Sequence, residues 1–404
     1  MSGLGEHVDD APSGAGAPRP GDIGRRSFLG LVAAAAASFA LPGSAVASPG
    51  DRPGWLRRAF LGGYTQGLGL APGIGLATLD LRTGRAVLDG WYTGVANPFH
   101  LNWSRTTRTL YAVSDVPQGA VHALRADRAG NLAPLSVVPS GGAGPVYTDL
   151  DRTGRWLLTA NYDSGSVAVN AVRPDGAIGE RTALVQHTGS GPVPGEQAGP
   201  HPHMTVPDRT GERVLVPDKG TDTVHVYRLD GRRGLLCRQA MLAMPPASGP
   251  RHLVFHPSGE AVFLVNELSS TVSTLAYDVR TGALSIVGTT RTVGSDVPVS
   301  FPSAIVLSRD AHHLYVANRG ADTISVLRVR RSGVELLDTV PVADDGLGAQ
   351  YPWDLALSPD GRYLWSADTG GQALVTFRVE AQGAVLRRTG AVLATPTPTR
   401  ILLT

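Results

Sequence analysis

The chain has 404 residues, a formal net charge of +2 and one cysteine, Cys237. Charged residues are 17 % of the total and the Lys and Arg residues are scattered, so there is no basic footprint for nucleic acid or an anionic membrane surface. One cysteine excludes an intrachain disulfide and any multi-cysteine metal centre.

The N-terminal segment contains "GRRSFLGLVAAAAASFALPGSAVAS". Arg25-Arg26 precede an apolar run over 28–41, and Ala45-Val46-Ala47 offers a small-residue processing site. The run is too short to span a bilayer. The pattern predicts a twin-arginine-type signal peptide over 1–47, a short linker over 48–57 and a single folded domain over 58–404. It implies export to the cell envelope or the extracellular space, with no membrane attachment after cleavage.

The next segments, "RAFLGGYTQG" at 58–67 and "GIGLATLDL" at 73–81, read as the second and third strands of a unit that lacks a first. Six complete units follow, marked by Pro98, Pro145, Pro202, Pro250, Pro302 and Pro352, about 50 residues apart, the scale of a four-stranded propeller blade. In each, an apolar strand follows the proline. A turn such as Pro-Asp-Gly leads to a second apolar strand, a polar loop to an alternating third, and the linker supplies a fourth. Twelve residues after each proline stands a strand residue: Leu110, Leu157, Val214, Val262, Leu314 or Leu364. The chain ends in "TPTRILLT" at 397–404, the missing first strand, with Pro398 in the repeat position. These units predict an all-β, seven-bladed propeller whose N- and C-terminal segments share one blade, leaving no open sheet edge.

Equivalent positions of a propeller form rings. The start of each first strand and the end of its antiparallel neighbour fall at the same edge of the sheet, so both sets of residues are expected at one channel mouth. That mouth should gather His201, His203, Asp218, Lys219, Arg251, His252, Asn266, Glu267 and Arg319. Arginine and lysine hold carboxylate or phosphate, histidine moves protons, and a glutamate can take a proton from water. Glu267, Arg251, His252 and His203 are the catalytic candidates. His201, Asn266, Arg319, Lys219 and Asp218 are the substrate-binding candidates. His201-Pro202-His203 has a spacing two metal ligands could use, but the nearby carboxylates are few, and no metal or other cofactor is expected. Cys237, in a linker strand, is expected to be an inert packed residue.

"AGPHPH", "SGPRHLVFHPSG", "VNELSSTV" and "YVANRGADTISV" resemble the lactonase family of seven-bladed propellers, which includes bacterial 6-phosphogluconolactonase and is similar to fungal carboxymuconate cyclase. The resemblance covers nearly all of 58–404. It implies hydrolysis of a sugar lactone without a tightly bound metal, by His, Arg and Glu residues at the channel mouth: His201, His203, Arg251, His252, Glu267 and Arg319. The family pattern has a glutamate where Ala304 stands, an arginine where Trp353 stands and a histidine where Tyr147 stands. A non-catalytic propeller that binds a ligand or a protein, and a muconate-type cycloisomerase, are the alternatives. The expected partner is a small anionic or polar molecule.

Overall fold

The computed structural model describes residues 53–67, 69–297, 300–344 and 350–404. The expected signal peptide over 1–47 and the first half of the linker, 48–52, lie outside the described residues. Among the described residues the strands form seven four-stranded antiparallel sheets arranged as a propeller. No helix among them is long and apolar enough to cross a membrane.

The second strand of a blade is packed on both faces by neighbouring blades, so it reads as a continuous apolar run. Thr109–Ser114, Trp156–Asn161 and His313–Arg319 are buried at every position. The outermost strand has one wet face and alternates, as in Leu235–Ala243. Cys237 lies on that strand and is exposed, not packed as expected, because the outer strand turns every other residue to solvent.

The hydrophobic core is divided into layers between blades rather than gathered at one centre. Leu158 and Val167 of one blade, for example, meet Val214, Val216 and Tyr227 of the next. This is how a ring of seven blades buries its apolar side chains although the chain exceeds the size of one ordinary core.

The ring closes as the termini imply. Pro398–Leu403 pairs antiparallel with Leu56–Gly63, and with Ile74–Asp80 and Ala86–Tyr92 they complete the seventh sheet. The repeat proline marks the same place in every blade. It lies opposite Ser114, Asn161, Asp218, Asn266, Asn318 or Asp368, the sixteenth residue after it, and Pro398 lies opposite Gly63. The start of each first strand and the end of its second therefore meet at one edge.

Just after the proline the register slips in the blades of Pro98, Pro145, Pro250, Pro302 and Pro352. Such bulges release one or two residues from the ladder and re-aim their side chains. In the Pro202 blade the departure is larger: only Val206–Pro207 forms a strand, and Pro202 makes an isolated bridge to Asp218. His201 and His203 thus lie on irregular backbone, whereas a regular first strand was expected.

Candidate functional site

At each bulge the first residue after the proline leaves the ladder, and where it is small and hydroxylic it ties one blade to the next. Ser303 donates to the Pro352 carbonyl at 2.8 Å, and Thr399 to the Phe99 carbonyl at 2.9 Å. Arg251 and His203 occupy the same ring position but carry larger groups. Arg251 Nη1 donates to the Ser303 carbonyl at 2.6 Å, so the guanidinium reaches into the neighbouring blade and is fixed there.

At the end of the second strand, alternation separates two neighbouring residues. The sixteenth residue after the proline turns into its own blade. Asn266 Nδ2 donates to Thr271 Oγ1 and Ser273 Oγ, both at 2.9 Å, and Asn318 repeats this with Thr323 and Ser325. Asp218 accepts the amides of His201, Gly220 and Thr221 on Oδ1 and the His187 ring on Oδ2. Asn266 and Asp218 therefore brace the mouth from behind. The seventeenth residue faces its counterparts across blades: Tyr162, Lys219, Glu267 and Arg319 meet one another.

Glu267 is the hub. Its Oε2 lies 2.8 Å from Arg251 Nε and 2.9 Å from Arg319 Nη2, and its Oε1 lies 3.0 Å from Lys219 Nζ. Lys219 also ion-pairs with Glu196 at 2.5 Å and donates to the Tyr162 hydroxyl at 3.1 Å. Arg319 Nε donates to the Phe301 carbonyl at 3.0 Å, and its guanidinium lies 4.6 Å from the Trp353 ring centre. Trp353 itself packs edge-on against Tyr64 and Phe99. Trp353 thus forms an aromatic floor under Arg319.

Burial alone would raise the pKa of the Glu267 carboxyl. The charges of Arg319, Lys219 and Arg251 override it and hold the group well below the usual carboxylate range. With three cations on one carboxylate, Glu267 anchors the cationic cluster. Burial, helped by Arg319, pulls the Arg251 guanidinium down to about 9, which leaves it charged at neutral pH.

Beside this cluster runs an arc of rings. His100 stacks on Tyr147 at 3.9 Å between ring centres, Tyr147 meets His252 at 5.6 Å, and His252 meets His203 at 5.1 Å. His203 then meets Tyr162 at 5.4 Å, and Tyr162 stacks on His201 at 4.3 Å. Burial first, and then the charge of Arg251, push His252 and His203 well below the ordinary imidazole range, so both are neutral and able to accept a proton. Several buried polar atoms of this wall have no hydrogen-bond partner: Arg251 Nη2, His203 Nδ1, His100 Nε2 and Arg400 Nε. Buried donors and acceptors are ordinarily satisfied, and a concentration of orphans in one place marks where a ligand would supply the missing partners.

Three further features were not among the predicted site residues. Glu196 arrives on the connection between the outer strand Ile178–Gln186 and His201, a segment with no counterpart in the repeat. Tyr162 was visible as a ring position but carries no charge to single it out. Asp354 and Arg400 pair with each other at 3.2 Å, and Asp354 also accepts the Ile401 amide, so these two join the last two blades.

The lactonase family model, described as a 7-bladed β-propeller, matches residues 58–403. A Bacillus subtilis protein named 6-phosphogluconolactonase is 30 % identical over 292 residues, which cover 71 % of this chain and 82 % of that protein. Among solved structures, a putative 6-phosphogluconolactonase from Bacteroides fragilis superposes with a TM-score of 0.79 at 26 % identity, covering 87 % of this chain and 98 % of that one. The periplasmic gluconolactonase of Pseudomonas aeruginosa gives 0.79 at 27 % identity, covering 86 % and 99 %. With the closed ring of seven blades and the mouth built on Arg251, Glu267 and Arg319, these likenesses show that the chain belongs to the lactonase family of seven-bladed β-propellers, a family of lactone (carboxylic-ester) hydrolases.

Proposed function

We propose that the mouth opens the lactone ring of a sugar acid. The observation that carries this reading is the charge balance: three buried cations, Lys219, Arg251 and Arg319, face two carboxylates, Glu196 and Glu267. One positive charge of the cluster stays uncompensated, and Arg251 Nη2 has no hydrogen-bond partner. A buried excess of positive charge favours an anionic ligand or an oxyanion that develops during reaction.

A lactone is a cyclic ester. Water adds to its carbonyl carbon and His252 or His203 takes the proton from the water. The carbonyl oxygen becomes an oxyanion facing Arg251 and Arg319. Collapse breaks the ring C–O bond, and the imidazolium returns its proton to the departing ring oxygen, leaving a hydroxyl and an acid. The depressed pKa values of the histidines belong to the mouth without a ligand. Negative charge growing beside them raises their proton affinity at the step that needs it.

The signal pattern over 1–47 supports export by the twin-arginine route, and a structural relative is named a periplasmic gluconolactonase. An unphosphorylated aldonolactone is the substrate this location favours, although the Bacillus subtilis relative is named for a phosphorylated one. A pH-stat comparison of gluconolactone and 6-phosphogluconolactone, with and without chelator, tests this. Saturable proton release above the spontaneous rate is expected, with the higher kcat/KM for the unphosphorylated ring. A higher kcat/KM for the phosphorylated ring would reverse the substrate assignment, and release at the spontaneous rate for both would remove the hydrolase reading.

A further inference from the structure

Away from the mouth, a cavity of about 620 Å³ opens between the outer strand Ile178–Gln186 of one blade and the strands Thr223–Asp230 and Leu235–Ala243 of the next. His187, His225 and Tyr227 are in its wall. Asp218 lies behind them, and one ligand-type atom from each of His187, Asp218 and His225 lies within 4.8 Å of the other two. All three residues are buried.

What distinguishes this trio from a chance cluster is the state of the atoms on the far side of each group. His187 Nε2 is 2.8 Å from the Tyr227 hydroxyl, and His225 Nε2 is 3.1 Å from Thr223 Oγ1. Asp218 Oδ1 already accepts three backbone amides. The remaining atoms are His187 Nδ1 and Asp218 Oδ2, 2.6 Å apart, and His225 Nδ1, which is buried and has no hydrogen-bond partner. Metal-binding histidines and carboxylates are typically held in this way, with the distal nitrogen or oxygen tied to an outer partner that fixes the ring and its tautomer.

We propose that His187 Nδ1, Asp218 Oδ2 and His225 Nδ1 form a binding site for one divalent transition-metal ion, with zinc the best fit to two imidazoles and a carboxylate. The ion displaces the proton that His187 and Asp218 now share, and the cavity supplies room for water at the remaining position. Its place in the fold indicates a structural role. His187 opens the connection that carries Glu196 to Lys219, and Asp218 precedes Lys219 in the chain, so the ion staples that connection to the blade behind the mouth.

The test uses untagged full-length protein stripped with chelator and returned to chelator-free buffer. Titration with zinc should saturate at one ion per chain and raise the melting temperature, and cobalt should give the visible absorption of a tetrahedral site. His225→Ala should abolish uptake. Tyr227→Phe, which keeps the ring and removes only the outer hydroxyl, should weaken it by about 10–100-fold. Absence of saturable zinc or cobalt uptake, or uptake undiminished in His225→Ala, would overturn the site. These readouts do not pass through lactone hydrolysis, so they stand or fall apart from the function proposed for the mouth.

Discussion

Arg251 Nε lies 2.8 Å from Glu267 Oε2, and both side chains are almost wholly removed from solvent. The pair explains why "GPRHLVFHPSGEAVFLVNEL" places charge at the ends of two apolar strands. Bulge and strand end lie side by side at the mouth, where the charges of Arg251 and Glu267 meet.

Glu267→Gln separates an anchor from a base. Removing the anchor leaves Lys219, Arg251 and Arg319 buried against one another, at a cost of about 3–5 kcal/mol, the usual effect of stripping one partner from a buried ion pair. Thermal unfolding should show a clear fall in Tm together with lost turnover. A variant with full Tm and abolished kcat would restore Glu267 as the base.

His252→Asn and His203→Asn keep a polar side chain but remove the imidazole. The residue that takes the proton from water should lower kcat by about 10²–10⁴-fold with little change in Tm, the usual range for general-base loss. Steady-state kinetics on the two variants assigns the role. If neither affects kcat, proton transfer lies elsewhere.

The pH profile of kcat/KM reports groups of the free enzyme. His252 and His203 must be neutral, and burial holds them well below the ordinary imidazole value, so the acid limb should fall well below pH 6.5. Arg251 must be charged, and although burial lowers its pKa the guanidinium stays protonated beside Glu267, so the acid limb reports the imidazoles and not Arg251. An acid limb at the ordinary histidine value would show that the imidazoles are solvated.

Asp354→Asn tests the closure of the ring. Asp354 holds Arg400 and the Ile401 amide on the last strand, which pairs with the first. Loss of its charge should destabilise the fold by about 3 kcal/mol, the low end for breaking a largely buried pair. Limited proteolysis should then cut near the C-terminus first, and unchanged resistance would show that strand pairing alone closes the ring.

The architecture was legible because it repeats. Pro98 to Pro352 set the period, and Pro398 at the end of the chain supplied the strand missing at the start. The mouth was legible as a location for the same reason, since equivalent positions must fall on rings. What a linear pattern does not carry is the phase of alternation at a strand end. Asn266 and Glu267 are neighbours in sequence, yet one braces its own blade and the other joins the cationic cluster. Nor does it show pairing: the mouth was expected to gather Glu267 with Lys219, Arg251 and Arg319, but the pattern does not show that all three contact its carboxylate. Glu196 and His187 lie on a connection outside the repeat, so no ring argument could place them.

We propose that this mouth hydrolyses a sugar lactone with Arg251 holding the oxyanion and an imidazole taking the proton. Background-corrected pH-stat turnover of gluconolactone by Arg251→Ala, beside the wild-type protein and with Tm recorded for both, tests it most directly. The expected result is a loss of about 10²–10³-fold in kcat, the scale of one missing oxyanion donor, in a variant that still unfolds cooperatively. Wild-type turnover that stays at the spontaneous rate, or an Arg251→Ala variant as active as wild type, would contradict it.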